Sequence, residues 1–562
     1  MALLSALPVR ASDAVWQWSV PLGEGRAFLW IPENCPRVRA VVVAQHNMIE
    51  QGLLEHATLR RTLAALGIAE VFIAPPFDRP FDFHRGAGER FDATMRALAA
   101  ESGYDELAAA PVVPMGHSAC ASFPWNFAAW APERTLAILS IKGDAPQTNL
   151  TGSGAPNPDW GARSIDGIPG LMVMSEQEWW EARLAPLIAF RAAHPRTPLA
   201  VLCDTGHGHF DASDELVEFL ALFIRKAAEA RLVAPVSDRR SYEDSSPTLP
   251  ANDVELRRSQ TGATLRPVLP AAGWLVARWR ADRPYVGAVA PAARSAGAPD
   301  EAFWSFDEEH ARATAAYQAR GAGLAQPQVD FVQDGALAPI RTTHTGVELA
   351  FQPEADGVTF RLAADFIAPL PKKPPVATKD VKNLPPPTTA HPTAAAPADR
   401  ADGPLLVSAI TGPVEPIAPG VFRVAFSRTA STIDARSHDI WLRAHHPGDA
   451  RHKGAVQQAL LRVPAFTEGA GQTIDFPPIA DQFASAEFVP LAATSDAGVS
   501  VSYYVREGPA FVRGGILHFT PLPPRTRFPV TITVVAWQLG RGAAPKLRAA
   551  LPVERSFRLF GP

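Results

Sequence analysis

Residues 111–120, PVVPMGHSAC, join a short apolar run to a turn of small residues around Ser118. The run predicts a buried strand, and the apolar stretch after the turn predicts a helix. Small residues two positions before and two after a serine permit a sharp strand-to-helix turn that lifts the hydroxyl above a sheet edge. Gly116 fills the first position, but Cys120 replaces the usual glycine at the second. The thiol must therefore fit a niche, or the helix must stand further off.

The same alternation of apolar runs and helical stretches extends from about residue 15 to 232. Strands buried on both faces are near-continuously apolar, and helices between them make the sheet mostly parallel. The last helix has the clearest pattern, with apolar residues at helical spacing from Leu216 to Ala227 behind Ser213 as N-cap. The apolar runs lie at residues 39–45, 70–74, 111–115, 136–141, 170–175 and 199–203.

Length and composition limit the classes of protein that the chain can form. Its 562 residues predict about three to four domains. The 53 basic and 57 acidic residues leave a net charge of −4, so we expect no nucleic acid partner. No run approaches the roughly 20 apolar residues of a membrane span. The three cysteines, Cys35, Cys120 and Cys203, form neither a disulfide framework nor a CxxC pair, so we expect no metal and no cofactor.

Changes along the chain in the pattern of apolar runs, helical stretches and turn residues predict three domains. The alternating segment ends near residue 235. A β-rich accessory domain follows at 236–465, with a proline-rich linker or loop at 368–404 and a helix over about 300–320 that contains Phe303 and Trp304. Residues 466–562 hold many short strand-like runs in under 100 residues, which is typical of a β-sandwich.

A serine nucleophile needs a base and a carboxylate. His207 and His209 lie just beyond the last predicted strand, in DTGHGHF (204–210). We prefer His207, because glycines on both sides free the loop there, with His209 as the alternate base or a packing residue. For the carboxylate we choose Glu178, about three residues after the run 170–175, with Glu176 as the alternate.

The chain order Ser118, Glu178, His207 is that of the α/β-hydrolases, and residues of about 15–232 resemble that family. The Ala119 N–H, at the helix start, is expected to face the developing oxyanion. The resemblance implies a second oxyanion donor from the loop after residues 39–45. Asn47 and Met48 are the candidates, and we favour Asn47.

These residues predict a serine hydrolase that cleaves carboxylic esters through a Ser-His-Glu triad and an acyl-enzyme. Trp125, Trp179 and Trp180 lie in segments that leave the carboxyl edge of the sheet, where their rings either stack on a sugar or serve as core anchors. The favoured partner is a small-molecule or polysaccharide ester, which would make the chain a carbohydrate esterase. There are two alternatives. One is a serine peptidase of the same fold, and the other is a non-catalytic surface carbohydrate-binding or adhesion protein with a degenerate hydrolase module.

The end of the chain, with QTIDFP at 472–477 and AWQLG at 536–540, resembles the immunoglobulin-like repeats of bacterial surface and secreted proteins. The resemblance implies a sandwich that serves as a spacer or adhesion module. The first residues, MALLSALPVRAS, have the features of a truncated signal peptide or of a frayed terminus. We therefore expect an extracellular or periplasmic protein.

Overall fold

The computed structural model describes residues 15–149, 156–179, 181–232, 265–294, 300–338, 347–368, 399–429 and 438–561. Several predictions lie outside these ranges. They concern the amino-terminal segment 1–14, the domain boundary near residue 235, Trp180 and most of the proline-rich run 368–404.

An eight-stranded sheet forms the centre of residues 15–232. Its strand order is β1-β2-β4-β3-β5-β6-β7-β8. Strand β2 pairs antiparallel with β1 and β4, and the other neighbours pair parallel. The predicted, mostly parallel sheet of α/β-hydrolase type is therefore confirmed. The strands are β1 (Trp18–Leu22), β2 (Gly25–Trp30), β3 (Ala40–Gln45), β4 (Ile68–Ala74), β5 (Val112–His117), β6 (Ile138–Ile141), β7 (Gly170–Ser175) and β8 (Leu199–Asp204).

Helices cover both faces of this sheet. Helix α6 begins as predicted, because the Ser213 hydroxyl accepts a hydrogen bond from the Leu216 N–H at 3.1 Å. None of the described helices is long and apolar enough to cross a membrane. The helices are α1 (Glu50–Leu54), α2 (Ala57–Leu66), α3 (Ala87–Ser102), α4 (Ser122–Trp130), α5 (Glu181–Ala193) and α6 (Asp214–Arg231).

The sheet separates two apolar cores, which explains why its parallel strands are apolar at nearly every position. Successive side chains of a strand point to opposite faces. In β3, Val41 and Val43 join the core that contains α3 and α4, whereas Val42 and Ala44 join the core that contains α2 and α6. Both faces are thus buried, as in sheets covered by crossover helices.

The middle of the chain is β-rich, as predicted, but the expected helix over 300–320 is wrong in its first half. Phe303 and Trp304 lie in a strand, β11, which pairs antiparallel with β9 and buries both rings. The helix α7 starts later, where the Asp307 carboxylate accepts from the His310 N–H at 2.9 Å and caps it. The elements are β9 (Trp274–Ala277), β10 (Val289–Pro291), β11 (Ala302–Ser305), α7 (Glu308–Gln318), β12 (Gln328–Gln333), β13 (Ala336–Leu337), β14 (Val347–Leu349), β15 (Thr359–Arg361), β16 (Ala363–Ile367), β17 (Leu406–Thr411), β18 (Val414–Ala418), β19 (Val421–Val424), β20 (Asp439–His446) and β21 (Ala455–Arg462).

The last hundred residues are also β-rich, as predicted. A four-stranded sheet of order β23-β30-β29-β26 and a three-stranded sheet of order β24-β28-β27 carry most of the strands. The immunoglobulin-like identity of this region stays a prediction. The strands are β22 (Ile474–Asp475), β23 (Gln482–Phe483), β24 (Phe488–Pro490), β25 (Thr494–Ser495), β26 (Ser502–Glu507), β27 (Ala510–Arg513), β28 (Ile516–Phe519), β29 (Val530–Trp537) and β30 (Val553–Phe560).

Helix α7 covers β8, the last strand of the central sheet. The Cys203 N–H donates to the Gln318 side-chain oxygen at 3.1 Å. The Tyr317 hydroxyl donates to the Asp204 carboxylate at 2.6 Å, and the Thr205 hydroxyl donates to the Tyr317 carbonyl at 3.1 Å. The middle region is therefore bonded to the strand that leads into the histidine-bearing loop.

Tyr317→Phe tests this attachment. It removes the hydroxyl from the fully buried Asp204 carboxylate, so we expect the free energy of unfolding to fall by about 1.5–3 kcal/mol in a denaturant titration. Tyr503→Phe is the control, because that half-buried hydroxyl bonds only to the backbone of Ala493, and its loss should be smaller. Equal losses in the two variants would contradict a special role for the Tyr317–Asp204 contact.

Candidate active site

Ser118 lies on the sharp turn that follows β5. Its φ angle of 51° is in the left-handed region, which non-glycine residues adopt only where the surroundings impose it. Gly116 is required beside it, because a Cβ there would lie 2.0 Å from the Cys120 carbonyl oxygen. The Cys120 side chain is fully buried with its sulfur 4.0 Å from the His46 carbonyl, so the thiol occupies the expected niche.

His209, the alternate base, is the histidine that contacts the serine. The His209 Nε2 atom lies 2.7 Å from Ser118 Oγ. The preferred base, His207, is bound elsewhere: its Nδ1 atom lies 2.7 Å from Asp211 Oδ2. The predicted pairing of Ser118 with His207 is therefore corrected to His209. The flanking glycines do not leave the loop free, because hydrogen bonds hold it on several sides.

Glu178 lies on the other side of the His209 ring, as the spacing from β7 predicted. The His209 Nδ1 atom is 2.8 and 2.7 Å from the two Glu178 carboxylate oxygens. Because a carboxylate only accepts, Nδ1 carries the proton and Nε2 is left to accept from the Ser118 hydroxyl. Burial works to raise the pKa of Glu178, but His209 and Arg183 outweigh it and lower that pKa below its usual value.

The alternate acid, Glu176, has a different position. Its carboxylate accepts from the Gly206 N–H at 2.9 Å and forms an ion pair with Lys453 of the middle region. Glu176 therefore anchors the start of the histidine-bearing loop, and these two contacts join its carboxylate to Gly206 and Lys453 rather than to His209.

A buried lysine holds the loop that carries His209. Lys142 directly follows β6, and its side chain has no solvent exposure. The ammonium donates to the Gly208 carbonyl at 2.6 Å and to the Asp211 carbonyl, and it lies 2.9 Å from Asp204 Oδ2 and 3.2 Å from Asp211 Oδ1. The two carbonyls bracket His209 in the chain. The buried ammonium is thus solvated only while the loop keeps its observed position.

Coulombic attraction dominates the protonation states around Lys142. Burial alone would lower the pKa of Lys142, but Asp204 and Asp211 raise it above its ordinary value. Burial alone would raise the pKa of Asp211, but Lys142 and His207 lower it well below its usual range. Burial alone would lower the pKa of His207, but Asp204 and Asp211 raise it. Asp211 is therefore ionised beside the Lys142 ammonium, and its 2.7 Å contact with His207 is a second anchor of the loop.

Other contacts complete the support of this loop. The Ser175 hydroxyl also donates to the Gly208 carbonyl, at 2.9 Å. Two residues of the middle region also contact the loop. Val456 lies so close to Gly208 that a Cβ added there would be 3.4 Å from the Val456 side chain. The Trp441 ring packs on the Phe210 ring, with centroids 5.3 Å apart. The loop is thus held by contacts with the end of β6, the end of β7 and the middle region.

The predicted second oxyanion donor is not supported by the hydrogen bonds. The Asn47 N–H donates to the Glu50 carboxylate at 3.1 Å, and the Met48 N–H donates to the same oxygen at 2.8 Å. The other Glu50 oxygen accepts from the His117 N–H at 2.9 Å. Burial raises the pKa of Glu50 to about 7, against the lowering effect of these N–H groups. Asn47 is therefore a loop-fixing residue. Ala119 lies in the short turn Ser118–Cys120, and its role as an oxyanion donor stays a prediction.

Trp125 and Trp179, the two predicted sugar-stacking tryptophans that lie within the described residues, do not form one platform. Trp125 is 1% exposed, and its indole N–H donates to the Asp144 carbonyl at 2.9 Å, so its substrate-binding role is wrong. Trp179 is half-buried and meets Trp279 edge to face at a centroid distance of 4.9 Å.

Sequence reasoning missed Lys142, Asp211 and Glu50. The local signals were a lysine directly after a buried apolar strand, an aspartate four residues after His207, and a glutamate at the end of the loop after β3. None of these patterns indicates which distant group each side chain binds. Within the described ranges, no group of three or more histidine, cysteine, aspartate or glutamate side chains is arranged to hold a metal ion.

Comparison with known proteins finds similarity only in fold. No family model matches the chain, and no curated protein matches it. Among solved structures, Est1E from Butyrivibrio proteoclasticus is 13% identical, with 38% of this chain and 97% of that chain covered and a TM-score of 0.26. A soluble variant of monoglyceride lipase from Saccharomyces cerevisiae is 10% identical, with 40% and 97% covered and a TM-score of 0.27. At these values the neighbours carry no argument about activity, which depends on the geometry above.

Lys142→Met tests the buried cation. The substitution leaves the Asp204 and Asp211 carboxylates buried without their ammonium, so we expect a loss of about 3–5 kcal/mol in the free energy of unfolding. Lys226→Met is the control. Lys226 pairs with three carboxylates, Asp307, Glu309 and Glu229, but all three are exposed, so the loss should be much smaller. Similar losses in both variants would show that Lys142 has no special structural role.

The stability difference between wild type and Lys142→Met should depend on pH. The lowered pKa of Asp211 contributes stability that is complete above the unfolded value of about 4 and is lost as the pH falls. Much of that stability depends on Lys142. The gap between the two unfolding free energies should therefore be largest near neutral pH and narrow as the pH falls toward and below about 4. Denaturant titrations across this range measure it, and a gap that widens on acidification would contradict the charge assignment.

Proposed function

We propose that the chain is a serine hydrolase that cleaves carboxylic esters through an acyl-enzyme. One observation carries the proposal. Ser118 Oγ, His209 and Glu178 form a continuous hydrogen-bonded chain, with heavy-atom distances of 2.7 Å at the serine and 2.7–2.8 Å at the glutamate. A nucleophile, a base and an orienting carboxylate in this order are the requirements for covalent acyl transfer.

Each residue has a defined step in this proposal. The Ser118 oxygen attacks the ester carbonyl while His209 Nε2 takes the hydroxyl proton, and Glu178 stabilises the resulting imidazolium. The Ala119 N–H stabilises the oxyanion of the tetrahedral intermediate. His209 then returns the proton to the leaving alcohol. Water, activated by His209, adds to the acyl-enzyme carbonyl, and the acid product leaves as Ser118 recovers its proton.

The neighbouring His117 supports the histidine-bearing loop as a neutral hydrogen-bond donor. The His117 Nε2–H donates to the His209 carbonyl at 2.8 Å, and the two rings lie 5.0 Å apart. Burial, and secondarily the charge of His209, lower the pKa of His117 well below its usual value. His117 therefore stays neutral and acts as a hydrogen-bond donor that holds the loop.

We expect wild-type protein to hydrolyse p-nitrophenyl acetate and Ser118→Ala to lose at least about 10³-fold in kcat. A fluorophosphonate probe should label wild type and leave Ser118→Ala unlabelled. If both proteins hydrolyse the ester at the same slow rate, the chain is not a Ser118 esterase and the non-catalytic alternative gains support.

The two histidines give a sharper test, because they are two residues apart on one loop. His209→Asn should lower kcat by about 10³-fold or more, whereas His207→Asn should lower it by about tenfold or less, since His207 acts only through Asp211. Glu178→Gln should resemble His209→Asn in direction, and Glu176→Gln should resemble His207→Asn. Circular dichroism checks that all four variants fold. A larger loss in His207→Asn than in His209→Asn would reverse the assignment.

A further inference from the structure

A cavity of about 900 Å³ lies behind the loop that carries His209, between the segment 176–177 directly after β7 and the middle region. This volume is at the upper end of the range for ligand-binding pockets. We call it the interface cavity. Its walls come from the segment after β7, from the loop between β9 and β10, from the segment between α7 and β12, and from the start of β21. The residues that the inference uses are Gln177, Trp279, Tyr285, Ala322, Lys453 and Gln457.

The walls combine two aromatic rings with side-chain amides. Trp279 is half-buried, and its edge-to-face contact with Trp179 fixes the plane of its ring. Tyr285 is held by a hydrogen bond of 2.9 Å from the Gln318 amide to its hydroxyl. The uncharged polar residues Gln177 and Gln457 also line the wall, although the side-chain N–H groups of both donate to backbone carbonyls. Fixed aromatic faces beside neutral hydrogen-bonding groups suit a ring that has both apolar C–H faces and hydroxyls.

The charges on the walls are already paired. Arg280 lies 3.2 Å from Asp282 and 3.1 Å from Glu301. Arg283 lies 3.4 Å from Asp282, and Lys453 forms an ion pair with Glu176. An anionic ligand would compete with these carboxylates for the same cations. A neutral ligand can instead accept hydrogen bonds from the same groups without changing the charge balance.

The inner wall of the cavity is the back of the histidine-bearing loop. The Gln177 side chain donates to the Gly206 carbonyl at 3.2 Å, and its backbone N–H donates to the His207 carbonyl at 3.2 Å. Val456, which lines the cavity, packs against Gly208. An occupant would therefore rest on the groups that hold His209 in place.

We infer that the interface cavity binds a neutral oligosaccharide, the carbohydrate part of an ester substrate or of its product. The identification of the ligand as part of the ester substrate rests on the proposed function. Binding of the sugar can be tested separately, because it requires neither Ser118 nor ester hydrolysis.

The test uses the full chain with Ser118→Ala, titrated calorimetrically with xylohexaose, cellohexaose and mannohexaose at millimolar concentrations. We expect at least one of these probes to bind saturably. Adding Trp279→Ala should weaken that binding by about tenfold or more, and Trp279→Phe should restore part of it. Ala322→Trp places a large ring on an exposed wall residue and should block the cavity without removing a contact. Trp274→Ala, a half-buried tryptophan outside the cavity wall, should bind like the parent.

Three results would overturn the inference: no binding of any neutral hexasaccharide, binding that neither Trp279→Ala nor Ala322→Trp weakens, or tighter binding of an oligogalacturonate than of every neutral probe. Failure of the proposed function looks different, because wild type would then bind the sugar but not hydrolyse p-nitrophenyl acetate.

Discussion

The burial of one ammonium group, that of Lys142, fixes the geometry on which the site depends. A charge removed from water must recover its solvation from the protein, and Lys142 does so from two carboxylates and two carbonyls. All of these acceptors belong to the end of β8 or to the loop that follows it. The loop cannot move away without leaving the charge unsolvated. The position of His209 is therefore a consequence of electrostatics at a neighbouring strand.

The elements that sequence predicted well have local causes. The buried strands follow from runs of apolar residues, α6 from its capping serine and helical spacing, and the Ser118 turn from small residues between a strand and a helix. The position of Glu178 beside His209 follows from its short distance to the end of β7, which is a local property of the sequence.

The elements that sequence predicted poorly depend on distant partners. Glycines on both sides of His207 suggested freedom, but the Gly208 carbonyl is held by Lys142 and Ser175, which are remote in sequence. Asn47 was chosen for its position after β3, yet Glu50 takes its N–H. Trp125 follows the Ser118 turn in the chain, but its side chain is buried in the core. In each case the deciding contact joins residues that no local pattern relates.

Helix α7 also determines how this molecule can assemble. The last strand of an open sheet usually presents unpaired N–H and C=O groups, which invite a strand from another molecule. Here Gln318 takes the Cys203 N–H, and Tyr317 binds the residues where β8 ends. A second copy could extend the central sheet at β8 only by displacing α7 and β11, which both contact that strand. Any dimer built by continuous strand pairing must therefore use a different edge.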